Sequence, residues 1–175
     1  MDAVLAIIIT VLVLKLTQPE AATWNGILNQ SMGYMTYFAC FLIIFNTWYN
    51  DHTLFQVVEN IDNKIVSVYG IMIFILSLVP FFATWVVLNP FSVPAQTMFG
   101  SLFLLTNILY TLSTYLIIKS NPYNKKLTAI NLKDYRKYIP PIMLLVGFVI
   151  TYTVYVPAIF IACMFSAVLL VCIGH

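Results

Sequence analysis

Residues 65–88 read IVSVYGIMIFILSLVPFFATWVVL, 24 consecutive positions without a charged side chain. At about 1.5 Å of rise per residue, roughly 20 apolar residues in a helix cross the ~30 Å hydrocarbon layer of a bilayer. This stretch is long enough to do so. Pro80 would break a helix in water; inside a membrane it is tolerated as a kink, because neighbouring helices re-satisfy the freed backbone groups.

The surroundings repeat the pattern. Downstream, Asn89-Pro90 and Pro94 impose a tight reversal, and Val93–Ile118 is a further apolar run. Ile139–Ile173 holds enough apolar residues for two short spans, with a break near Tyr152–Pro157. Upstream, Met32–Tyr49 is apolar and aromatic-rich. Before it, a run beginning at Ala3 carries Thr10 as its internal polar residue. Between these two, Thr17–Ser31 supplies turn signals (Pro19, Asn25, Gly26, Asn29) and reads as a loop or short interfacial helix. The expected architecture is all-α: one six-helix transmembrane domain over residues 1–175, with spans at about 1–16, 32–49, 65–88, 93–118, 139–154 and 156–173. A five-span topology would fuse residues 139–173 into one tilted helix, but Pro157 and the length of that run count against it.

Composition points the same way. The chain is 62% hydrophobic and 8% charged, with a mean hydropathy of +0.95, against roughly 25% charged residues in ordinary soluble domains. That excludes a soluble enzyme, a disordered linker and a nucleic-acid binder. Six of the eight basic residues (Lys119, Lys125, Lys126, Lys133, Arg136, Lys137) crowd into one segment whose only acid is Asp134. Beside membrane spans this cluster marks a cytoplasmic loop under the positive-inside rule. Both termini then lie in the cytoplasm and the loop 17–31, free of Lys and Arg, lies outside. Cys40, Cys163 and Cys172 fall in apolar runs and read as packing residues; no Cys/His spacing matches a metal site.

No span carries an ionisable residue near its middle, since Asp2, Lys15, Asp51 and Lys64 sit at span ends. Pumps, coupled carriers and membrane hydrolases need such groups, whereas a passive pore needs only an apolar gate and a few oxygen atoms. On a wheel of about 100° per residue with Ile7 at zero, Thr10 falls at about 300°, Val11 at about 40° and Leu14 at about 340°. These four share one face, and Asp2, near 220°, points away from it. Nearly every face of this helix is apolar, so the wheel alone does not separate a pore wall from a packing or lipid face.

From Asp2 onward, Asp2-Ala3-Val4-Leu5-Ala6-Ile7-Ile8-Ile9-Thr10-Val11-Leu12-Val13-Leu14 resembles the first helix of the prokaryotic branch of the transmembrane protein 175 potassium-channel family. There a Phe-Ser-Asp motif precedes an apolar stretch with a threonine. Trp48-Tyr49-Asn50-Asp51-His52-Thr53-Leu54-Phe55 resembles the second family signature, a tryptophan before a His-His pair and Leu-Phe. The resemblance follows all six spans in order, including Glu59–Lys64 and Pro80. It implies a potassium-permeable cation channel without the usual filter loop, a homotetramer with first helices around a central pore. The implied locale is a prokaryotic cytoplasmic membrane, with potassium as the permeant ion and no cofactor. It assigns Ile7 to the principal constriction, Val11 and Leu14 to further apolar gate layers, and Thr10 to ion selection. Asp2, His52 and Trp48 match a polar network bracing the first helix. Two departures stand out. The Phe-Ser half of the first motif and its preceding arginine are missing, which points to a shortened N-terminus or a mis-assigned start codon, and Asp51 replaces the first histidine of the pair. Two other readings stay open: a facilitator for an uncharged solute, motivated by Asn46, Thr106, Asn107 and Thr111, and a non-conducting membrane scaffold.

Overall fold

The computed structural model describes residues 2–19, 21–124, 127 and 138–173. Every regular element among them is a helix: α1 (Asp2–Leu14), α2 (Trp24–Asn29), α3 (Ser31–Phe55), α4 (Asn63–Ser77), α5 (Val79–Leu88), α6 (Val93–Ser120), α7 (Ile139–Thr153) and α8 (Ala158–Ile173). The basic segment lies, apart from Lys119, outside the described residues. Asn63–Leu88 and Val93–Ser120 are each long and apolar enough to cross a bilayer. α1, α7 and α8 are shorter apolar helices.

α4 and α5 form one rod interrupted at Leu78, where Pro80, lacking an amide hydrogen, restarts the helix from its first turn. α2 occupies part of the polar stretch between the first two apolar runs; the Thr23 hydroxyl caps it by accepting from the Gly26 amide at 3.2 Å. α3 does not stop at Tyr49, where the polar Asn50-Asp51-His52 reads as the end of a span. It runs on to Phe55, because Asp51 and Leu54 fall on the same buried stripe as Cys40 and Ile44.

α7 and α8 form a hairpin, α6 packs along α4 and reaches the hairpin, and α3 lies against α8. Close approach depends on small residues. A Cβ on Gly100 of α6 would collide with Ile159 of α8, and one on Gly147 of α7 would sit 2.8 Å from the Ala162 methyl. The core runs through Ala39, Cys40, Ile44, Met72, Leu76, Val86, Phe99, Phe103, Ile159 and Cys163. Cys40 and Cys163 pack there as expected, but Cys172 is exposed: it sits on the uncovered side of α8.

Polar side chains close the helix ends. At the start of α8, the Ile159 amide donates to Thr151 Oγ1 at 3.1 Å and the Phe160 amide to Gln96 Oε1 at 3.2 Å. Thr151 in turn donates to the Val156 carbonyl. First-turn amides have no partner within their own helix, and no water reaches these buried ones. Asn121, buried at the end of α6, exchanges bonds with the backbone of Asn60, two at 2.9 Å, fastening the α3–α4 connection to α6. Most helix hydroxyls, such as those of Thr36, Thr84 and Thr111, donate back to the carbonyl four residues earlier, a cheap solution where water is absent.

Candidate functional site

α1 packs against α3 and, less extensively, α4 and α5. Leu5, Ile8 and Leu12 form its buried stripe. The opposite side has no cover from this chain: Ile7 is 60% and Leu14 80% exposed, and Thr10 is exposed between them. Val11 is turned to the edge of that side, half-buried, where it joins Lys15, Phe81, Thr84, Trp85 and Leu88 around an open cleft of about 630 Å³ between α1 and α5. Three of the four residues that share a face on the helical wheel therefore stand free together, and the fourth borders a cleft.

The Thr10 hydroxyl donates to the Ile7 carbonyl at 2.7 Å. Its proton is thereby committed to the helix, and its oxygen lone pairs stay available on the exposed side. A ring of such oxygens could meet a partly dehydrated cation, and bulky aliphatic side chains one turn away could exclude water from the same axis.

The N-terminal end of α1 is held by α3. Trp48 Nε1 donates to Asp2 Oδ1 at 3.2 Å, the indole stacks on the His52 ring at 5.2 Å with 21° between planes, and His52 Nε2 lies 3.0 Å from Gln56 Nε2. Trp48 is also the last rung of an aromatic ladder, Tyr37, Phe41, Phe45, Trp48, with successive centroids 6.0–6.3 Å apart. Asp2, Trp48 and His52 thus form one contiguous group joining the two helices.

Asp51 does not belong to this group. It lies about 60° round α3 from Trp48 and about 100° from His52, is only 3% exposed, and accepts from the Tyr69 hydroxyl of α4 at 2.9 Å through Oδ1, while Oδ2 has no hydrogen-bond partner among the described residues. Reading it as a span-end charge missed this contact. The spacing Cys40, Ile44, Asp51 marks the core side only once the fold shows which face of α3 is packed.

These features describe a helical membrane protein whose first helix is braced at one end and bare along one side. Comparison with known proteins agrees. Residues 1–80 match the family described as "Endosomal/lysosomal potassium channel TMEM175". A potassium channel of Chryseobacterium sp. (strain P1-3) is 30% identical over 146 residues, covering 83% of this chain and 76% of that protein. A potassium channel of Streptomyces collinus is 30% identical over 83 residues, 45% of this chain and 40% of that one. The fold matches the crystal structure of a lysosomal potassium-selective channel TMEM175 homolog from Chamaesiphon minutus, with a TM-score of 0.82 and 20% identity over 99% of this chain and 94% of that one. The chain belongs to the transmembrane protein 175 family.

Proposed function

We propose that this protein is a potassium-permeable channel, a homotetramer of six-span protomers with four copies of α1 around a central path. Ile7 forms the main hydrophobic constriction, Val11 and Leu14 add further apolar layers, and Thr10 oxygens contribute to ion selection. Asp2, Trp48 and His52 hold α1 in register against α3. The membrane is the cytoplasmic membrane of a prokaryote, with both termini and the basic segment on the cytoplasmic side. The observation carrying this reading is the bare side of α1, where Ile7, Thr10 and Leu14 stand exposed while Leu5, Ile8 and Leu12 are packed. The relatives' description as potassium channels supports it.

The test is reconstitution of the purified protein into bilayers with opposing potassium and sodium gradients. The expected result is a potassium-favouring reversal potential that shifts toward zero in Thr10→Ala, together with a raised resting conductance in Ile7→Asn, whose amide wets the constriction. Unchanged current in both variants, with assembly intact, would remove α1 from the pore. Silence of a tetrameric wild type would leave the scaffold reading in its place.

A further inference from the structure

A second polar locus lies away from α1, inside the bundle. α3 contributes Asn46, Thr47 and Asn50, α6 contributes Thr106 and Asn107, and α8 contributes Ser166 to the wall of a cavity of about 60 Å³. The wall takes positions 43, 46, 47 and 50 of α3, 103, 106, 107 and 110 of α6, and 163, 166, 167 and 170 of α8, in each case the i, i+3, i+4, i+7 pattern of a single helix face. α1 contributes nothing to the lining.

The hydrogen bonds on the wall divide into spent and unspent groups. Asn46 donates to the Ala167 carbonyl at 3.3 Å, Thr47 to Ile43, Thr106 to Leu102 and Asn107 to Phe103, each of the last three at 2.8–2.9 Å. The two threonine hydroxyl protons are thereby committed, each asparagine keeps a second N–H, and the side-chain oxygens of all four residues remain as acceptors. Ser166 is only 4% exposed and, like Asn50, has no hydrogen-bond partner among the described residues. Their hydroxyl and amide add further donors to the wall. An unpaired hydroxyl on the cavity wall can donate and accept, so the cavity suits a guest that does both.

Size and charge narrow the guest further. The volume holds roughly four waters at ~10–15 Å³ each, or one solute with about as many non-hydrogen atoms. No charged side chain lines it among the described residues, and a mixed wall of donors, acceptors and apolar groups suits a neutral guest. Phe103 and Leu144 supply apolar wall for a methyl or methylene group. We propose that each protomer carries, among α3, α6, α7 and α8, a binding site for a small uncharged primary amide of acetamide size. Its amino group would face the Asn and Thr oxygens, its carbonyl would accept from Ser166 or Asn50, and its alkyl end would lie on Phe103 and Leu144. The site does not depend on conduction through α1.

The experiment is saturation-transfer-difference NMR with acetamide on the purified full chain in detergent. The expected result is a methyl signal that saturates in the millimolar range, as suits a ligand of about four non-hydrogen atoms. It should be lost in Ser166→Leu and in Asn107→Leu, which fill the cavity, and kept in Thr111→Val, an exposed position of α6 outside it. A signal that rises linearly without saturating, or that survives both filling variants, overturns the proposal. So does the absence of any signal from the wild type, which would leave the cavity to water. Should one filling variant lose its helical circular dichroism, the other variant and the saturation curve still decide.

Discussion

Asp51 is an acid placed in the interior, and its surroundings explain how it is tolerated there. Tyr69 supplies one hydrogen bond to Oδ1, while Oδ2 has no hydrogen-bond partner among the described residues. Removing the donor should hurt more than removing the charge. Tyr69→Phe leaves both carboxylate oxygens without Tyr69 as donor and is expected to cost about 1–3 kcal/mol. Asp51→Asn keeps the shape and the acceptor for Tyr69 while discharging the group, and is expected to leave stability unchanged or raise it. Thermal unfolding of the two variants in the same detergent checks the order; Asp51→Asn falling below Tyr69→Phe would mean that the carboxylate has a partner that matters more than Tyr69. His52, one residue along, turns about 100° around the helix and belongs to the Trp48–Asp2 group instead. Neighbours in sequence serve different helix contacts.

At the scale of elements, the fold depends on how helix ends are satisfied where water is excluded. The break between α7 and α8 is held by Thr151, whose hydroxyl accepts from the Ile159 amide and donates to the Val156 carbonyl, and by Gln96 reaching across from α6 to the Phe160 amide. Thr151→Val matches the shape and deletes the hydroxyl, so it isolates those two bonds. The expected loss is about 1–2 kcal/mol, the range of a lost helix cap, visible as a lower unfolding temperature with unchanged helix content. A variant as stable as the wild type would show that the hairpin is held without Thr151, by the Gln96–Phe160 bond and Gly147–Ala162 packing. The kink at Leu78–Pro80 follows the opposite logic: the break is written into the covalent structure of proline, and the packing around it accommodates the bend.

For the molecule as a whole, the unanswered demand is cover for α1. A bare apolar strip bearing Ile7, Thr10 and Leu14 is met either by lipid or by other copies of the chain, and the proposed tetramer brings the strips together around one axis. Cysteine cross-linking separates the two outcomes. In a Cys172→Ser background, which removes the exposed native thiol, Ile7→Cys and Leu14→Cys are expected to form disulfide-linked dimers on mild oxidation in the bilayer, and Ile8→Cys, buried against the chain's own core, is not. Cross-linking at Ile8 with none at Ile7 would reverse the orientation of α1; none at any position would favour lipid against the strip.

The amino-acid sequence by itself determined that this is a helical membrane protein. Long uncharged runs leave the backbone no partner but itself, and that requirement depends on local composition alone. It also carried the Pro80 kink, the break before Pro157 and, through the motifs around Asp2 and Trp48, the family. Which side of α1 is bare, which side of α3 holds Asp51, and that Asn46, Thr106, Asn107 and Ser166 meet around one cavity were decided only by the tertiary structure. A helix apolar on every face has no amphipathic contrast for a wheel to read. Its orientation is set by partners far away in the chain: Trp48 for Asp2, Tyr69 for Asp51, Ala167 for Asn46. The helix of α3 runs past the expected span end at Tyr49 for the same reason: Asn50-Asp51-His52 is polar, yet α4 offers Asp51 a hydroxyl inside the fold.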